Sequence, residues 1–368
     1  MDAMEAGAAY ALAGHPLDSH AEQMIGQAQR VEVHVTVEQP REPKPVLINA
    51  AEGKTSPAWD ALIGQEAAKE RLAVHIAAAR RRNAALPDVL LASGRPGIGK
   101  TMMARIIAGD MGGDFIMLVP PFKKETLYEA AMSLGDKGIL FIDEIHKLVD
   151  GVGSRGAEVL LHLLEEKKLY TEEGVVELAD ITVIGATTDK GKLPKTILSR
   201  FPVQPFLGPY TLADLCRITI QFAMNHPDLR DMSNELVKTI ARACQGMPRI
   251  ARHLVDTAAD LTLAQGAEPT GEQLLAFEQL EPDGTTMEHK AYLIGMFRNF
   301  RRVTADGVVE YVAGEASMMN VLRETKQGLA ELEWFLMDRG LLDRTPSGRR
   351  LTAAGIAAAV FYMGEQPV

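Results

Sequence analysis

Four short apolar runs, at 89–92, 115–119, 139–142 and 181–184, punctuate the first half of the chain. Between and before them, at 65–83, 100–111, 125–134 and 157–167, apolar residues recur at helical spacing. In 65–83, for example, Ala67, Leu72, Ile76 and Ala79 fall on one face, and Arg80, Arg81 and Arg82 close the helix at its negative end. Short, mostly apolar strands that alternate with helices predict a parallel sheet covered on both faces. From 211 the pattern turns helical, with stretches at 212–224, 234–243 and 248–265. Residues 286–352 mix helices with short strands around Gly307, Gly340 and Gly348. The beginning is different. Residues 31–38 alternate apolar and polar as a half-buried strand does, and Pro40, Pro43 and Pro45 then break the pattern. The expectation is an α/β chain in four parts: an N-terminal arm at 1–56, a sheet domain at 57–208, a helical domain at 209–284 and a C-terminal domain at 285–368. The arm is read as loose with one docked strand, or as a partner-binding segment.

Length and composition narrow the class. At 368 residues, 46% hydrophobic and 24% charged, the chain can bury a sizeable core. Two cysteines, Cys216 and Cys244, leave no disulfide framework and no cysteine-rich metal site. Asp2 and Glu5 stand where a signal peptide carries positive charge, and the apolar run at 353–363 is about half of the ~20 residues a membrane span needs. A cytoplasmic protein with no membrane association is expected. The formal net charge of −10 argues against a coat protein for nucleic acid. Residues 286–368, however, hold 10 basic and 10 acidic side chains and are the part least hostile to a polyanion.

Gly94-Arg95-Pro96-Gly97-Ile98-Gly99-Lys100-Thr101 fits the phosphate-loop pattern, between an expected strand and an expected helix. Glycines let backbone N–H groups turn toward phosphate oxygens, and the helix N-terminus adds a favourable dipole. Lys100 reaches the outer phosphates, and the Thr101 hydroxyl is placed for Mg²⁺. About forty residues on, the strand 139–142 ends in Asp143 and Glu144. Asp143 is the expected Mg²⁺ carboxylate, and Glu144 the group that orients and deprotonates an attacking water. His146 follows them, with no further ligands at zinc spacing, and is read as structural.

With Ile63-Gly64-Gln65-Glu66 before the loop and Asp143-Glu144-Ile145-His146 after it, the chain resembles AAA+ ATPases. Further stretches narrow the resemblance to the RuvB family, the Holliday-junction branch-migration motors. Ile184-Gly185-Ala186-Thr187-Thr188 is similar to the family's sensor-1 strand, and Leu198-Ser199-Arg200-Phe201 to its arginine-finger box. Gly246-Met247-Pro248-Arg249-Ile250-Ala251 is similar to its sensor-2 helix, and residues 340–349 to its C-terminal wing. The likeness runs from about Pro57 to Thr352, and the arm before it has no counterpart.

The resemblance implies an AAA+ parallel sheet, an all-helical lid and a winged-helix domain. It implies that ATP and Mg²⁺ are bound by Ile63, Gly97, Ile98, Gly99, Lys100, Thr101, Asp143, Thr188 and Arg249. Ile63 and its neighbours would contact adenine, Thr188 would sense the γ-phosphate, and Arg249 would reach the nucleotide from the lid. Arg200 would act on the site of the next subunit in a ring, most simply a hexamer; a guanidinium supplied in trans stabilises the charge of phosphoryl transfer. Arg344, Arg349 and Arg350 flank the turn at 345–348 and would meet a duplex or junction backbone. Arg298, Arg301 and Arg302 form a second basic cluster.

Three departures stand out. The hairpin that docks the partner RuvA in the family has as its candidate residues 168–178, shorter and with Glu173-Gly174 at the turn, which weakens the expectation of a RuvA-type partner. Residues 150–156 look inserted, and Leu198 replaces a second arginine. A competing reading is an AAA+ loader of clamps or helicases, a switch rather than a motor. A nucleotide-dependent scaffold is a weaker third, opposed by Glu144.

Overall fold

A computed structural model describes residues 46–48, 59–151 and 156–364. The alternating stretch at 31–38 and Arg155 of the expected insertion lie outside them.

The first part is a five-stranded sheet. Its strands are β1 (Val46–Ile48), β2 (Val89–Ala92), β3 (Phe115–Leu118), β4 (Ile139–Ile142) and, further along the chain, β7 (Thr182–Thr187). The spatial order is β1-β3-β4-β7-β2, parallel except for β1 at the edge, which runs antiparallel to β3. Helices α1 (Glu66–Arg82), α2 (Lys100–Met111), α3 (Lys124–Met132), α4 (His146–Gly151), α5 (Gly156–Glu165) and α6 (Lys195–Leu198) fill the connections. Side chains of a strand alternate between faces, and two cores result. Val89, Leu91, Ile139, Phe141 and Ile184 meet Leu72, Ile76, Met103, Ile106 and Ile107 of α1 and α2. Leu90, Leu140, Ile142 and Val183 meet Leu127, Leu148, Leu160 and Leu163 of α3, α4 and α5 on the other face. With both faces covered, every residue of β4 and β7 is buried, Thr182 and Thr187 among them.

The hairpin β5 (Lys168–Thr171) and β6 (Gly174–Glu177) forms as the pattern predicts. Its turn falls one residue earlier than expected: Gly174 opens the return strand, opposite Thr171. β7 runs three residues beyond the predicted end because Gly185, Ala186 and Thr187 stay in register with Leu90, Leu91 and Ala92 of β2.

Helices α7 (Leu212–Ala223), α8 (Asn234–Ala243), α9 (Pro248–Gln265) and α10 (Gly271–Phe277) surround a third core that includes Leu215, Leu236, Ile240, Leu254, Val255 and Leu274. Their starts are explicit in the sequence. Thr211 and Asp214 close a capping box on α7, Ser233 caps α8, Pro248 takes the first turn of α9, and Thr270 with Gln273 closes a box on α10.

The C-terminal segment builds a fourth core from α11 (Met287–Asn299), α12 (Glu315–Leu322), α13 (Lys326–Asp338), α14 (Ala353–Gly364) and a four-stranded antiparallel sheet. The sheet order is β10 (Leu342–Thr345), β11 (Gly348–Leu351), β9 (Val309–Ala313), β8 (Arg301–Val303). Helices followed by a β10–β11 hairpin agree with the winged-helix expectation. Among the described residues no helix is long and apolar enough to cross a membrane.

Candidate active site

Strand order decides where the chemistry collects. β7 lies between β4 and β2, so the carboxyl ends of three parallel strands deliver the phosphate loop, Asp143-Glu144 and Thr188 to one edge of the sheet. Ligands of open parallel sheets bind at that edge.

The phosphate loop turns through Gly97 (φ 70°) and Gly99 (φ 95°), both left-handed, where a side chain would be strained. Gly99 then caps α2, so the helix N-terminus opens onto the loop. Ile98 between the glycines is buried and anchors the turn in the first core. Lys100 is only 6% exposed. Its Nζ donates to Ser93 Oγ at 3.2 Å and to the Arg95 carbonyl at 3.4 Å. Burial holds its ammonium below the usual lysine range, against the nearby charges of Glu144 and Asp143. Thr101 follows in the first turn of α2.

Burial, with Glu144 beside it, raises the Asp143 carboxyl above the ordinary range, and Lys100 opposes the shift. The backbone N–H of Glu144 donates to Asp143 Oδ1 at 3.1 Å. Glu144 itself is left-handed, φ 48°. Its Oε2 accepts from the Thr188 hydroxyl at 2.8 Å and from the Thr188 backbone N–H at 3.1 Å. His146 Nδ1 lies 3.3 Å from the same oxygen and 2.9 Å from Thr187 Oγ1. The histidine is buried, which pulls its pKa below the usual value and favours the neutral ring. Its expected structural role agrees with this geometry, because it braces Thr187 and Glu144 together.

Arg249 approaches from the first turn of α9. Its Cβ is 3.4 Å from where a Cβ on Gly97 would stand, and its charge is felt at both Lys100 and Asp143. Ile63 is buried beside the turn that precedes α1. That turn is clamped by Gln65, whose side-chain amide exchanges two hydrogen bonds with the backbone of Gly208. Tyr210 completes the clamp. Its Oη donates to the Ile98 carbonyl at 2.9 Å, and its ring packs against Gly64. Sequence reasoning missed Tyr210, which no local motif marks and whose partners lie more than a hundred residues earlier.

The structure therefore brings together Ile63, Gly97, Ile98, Gly99, Lys100, Thr101, Asp143, Glu144, Thr188 and Arg249. It does not bring Arg200 to them. Arg200 follows α6 and is ion-paired with Glu165 at the end of α5.

The wing arginines divide. Arg349 is 13% exposed and tied to two carboxylates: Nε to Glu333 Oε1 at 2.7 Å and Nη2 to Glu315 Oε2 at 2.8 Å. Glu333 is fully buried and also accepts from Arg344 at 2.9 Å and from the Tyr292 hydroxyl at 3.1 Å. Arg344 and Arg350 keep 55% and 41% of their side chains exposed, Arg350 lying 3.5 Å from both Glu310 and Asp343. Arg301 and Arg302 sit on exposed β8, at the edge of the same sheet.

Comparison with known proteins agrees with this architecture. Residues 56–207 match the family model of the Holliday junction DNA helicase RuvB P-loop domain. The Holliday junction branch migration complex subunit RuvB of Anaeromyxobacter sp. (strain Fw109-5) is 32% identical over 304 residues, covering 79% of this chain and 85% of that protein. Among solved structures, the RuvB Holliday junction branch migration motor of Thermotoga maritima superposes with a TM-score of 0.70 at 27% identity, over 85% of this chain and 99% of that one. A mutant of the same Thermotoga protein gives 0.71 at 26% identity, over 84% and 99%. Similarity of this extent, reaching well beyond the phosphate-loop domain, makes the chain a member of the RuvB family of AAA+ proteins.

Proposed function

We propose that the protein is an ATP-hydrolysing motor that drives Holliday-junction branch migration on double-stranded DNA as a ring, most simply a hexamer. The observation that carries this reading is the meeting of Lys100, Asp143, Glu144 and Thr188 at one sheet edge, with Arg249 arriving from the helical segment. Lys100 and the loop N–H groups bind the phosphates. Thr101 and Asp143 offer a hydroxyl and a carboxylate, hard oxygen donors of the kind Mg²⁺ takes together with phosphate oxygens. When bound, the metal would neutralise charge on the phosphates. Glu144 orients water and takes its proton, and Thr188 fixes where that carboxylate points. Arg249 makes the helical segment respond to the nucleotide. Arg200, paired with Glu165 of its own chain, serves the neighbouring copy.

We take residues 57–208, 209–284 and 285–368 as the three working domains, and the last as the one that grips DNA. Arg344 and Arg350 are the wing side chains that meet the duplex backbone, and Arg349 holds the wing in shape between Glu333 and Glu315. Support for a motor over a loader comes from the structural match, which covers nearly the whole Thermotoga RuvB chain. A RuvA-type partner would dock at the β5–β6 hairpin, where Tyr170 and Val175 are exposed.

The test is dissociation of a synthetic Holliday junction by purified protein with ATP and Mg²⁺, with and without a RuvA-type protein. The wild type should dissociate the junction. Glu144→Gln should bind ATP and junction yet stop turnover and dissociation. A protein that hydrolyses ATP and leaves junctions intact under both conditions would sink the motor reading.

A further inference from the structure

Arg95 is the second residue of the phosphate loop, and its side chain is engaged by the C-terminal segment. The guanidinium is ion-paired with Asp338 at the end of α13 and lies 4.0 Å from the ring centroid of Trp334, on the same helix. It also passes so close to Gly246 that a Cβ there would stand 2.8 Å from Nη1. Only 17% of the side chain is exposed. One side chain thus joins the loop, the approach to Arg249 and the C-terminal segment. The main chain of the same residue faces the site. Its carbonyl accepts from Ser93 Oγ at 2.8 Å and from Lys100 Nζ at 3.4 Å.

We propose that Arg95 is a latch between the phosphate loop and the C-terminal segment, and that Asp338 and the phosphates of a bound nucleotide compete for it. This rests on reading the loop as a nucleotide site. Three effects share one sign. A polyphosphate and the Asp338 carboxylate both draw on one guanidinium. The carboxylate, held beside the loop, repels a second anion. Lys100 turns from the Arg95 carbonyl toward phosphate, which frees the loop residue that carries the latch. Nucleotide binding therefore releases α13, and by reciprocity release of α13 favours nucleotide. The coupling bypasses Arg249 and reaches the proposed DNA-gripping segment directly. A partly exposed ion pair with one cation–π stack sets a scale of about three- to ten-fold.

The test measures binding of a non-hydrolysable ATP analogue with Mg²⁺ to the full chain and to Asp338→Asn, whose side chain is partly exposed and outside the nucleotide site. The variant should bind the analogue about three- to ten-fold more tightly. Amide exchange over residues 334–341 should speed up when the wild type is given analogue, and should already be fast in free Asp338→Asn. Equal or weaker binding by the variant overturns the latch, as does exchange at 334–341 that ignores the analogue. A wild type that binds no analogue at all overturns the nucleotide reading instead.

Discussion

At Glu144 the backbone takes a left-handed turn that costs a residue with a side chain about 1–3 kcal/mol. The turn delivers the carboxylate to Thr188, which meets one oxygen with both its hydroxyl and its backbone N–H. Removing the hydroxyl should leave nucleotide affinity nearly unchanged and let the carboxylate wander. Thr188→Val is expected to lower kcat by about 10²-fold, while Thr188→Ser, which keeps the donor, stays near wild type. Turnover measured beside equilibrium nucleotide binding separates the two effects. The residues proposed for the nucleotide were legible in the sequence because their chemistry is contiguous: Gly97 to Thr101 form one turn, and Asp143 and Glu144 end one strand. Arg349, Tyr210 and Arg95 were not legible in this way. Arg349 reads as a wing cation, yet its carboxylates are 16 and 34 residues away; the partner of Arg95 is 243 residues away. No spacing rule links such pairs, which only the packing of separate segments creates.

Among the elements, α11 carries a pH-sensitive start. The side chains of Thr286 and His289 close a capping box in which His289 Nδ1 accepts from the Thr286 backbone N–H at 3.1 Å. A protonated ring has no lone pair to accept with. The ring is buried against Phe335, centroids 4.3 Å apart, and burial lowers its pKa from 6.5 to about 4. The unfolded chain therefore takes up a proton near pH 6.5 and the folded chain does not, so stability falls as pH falls between 6.5 and about 4. About 1.6 kcal/mol of this should appear between pH 6.5 and 5. Denaturation at the two pH values should show that loss in the wild type, and His289→Gln, which keeps an acceptor, should remove most of it. Element positions were largely readable from apolar spacing. Ala68 rather than Ala67 turns to the core of α1, and β1 was not foreseen. Two further exceptions have local causes: Gly174 joins its strand rather than the turn, and Gly185, Ala186 and Thr187 extend β7 because β2 is there to pair with them.

Over the whole molecule, the sheet edge gathers one set of groups, and Arg200 stands apart from it, paired with Glu165. That separation motivates the central proposal, that each site is completed by the adjoining copy. Mixing two inactive variants tests it most directly. Lys100→Ala cannot bind nucleotide but keeps Arg200, and Arg200→Ala binds nucleotide but lacks the finger. Each alone should lose at least about 10³-fold in ATP turnover. In mixed assemblies a Lys100→Ala copy can serve its Arg200→Ala neighbour, so turnover should return on mixing and reach its maximum at intermediate ratios. Full turnover by Arg200→Ala alone, or mixtures as inactive as their components, would contradict the account.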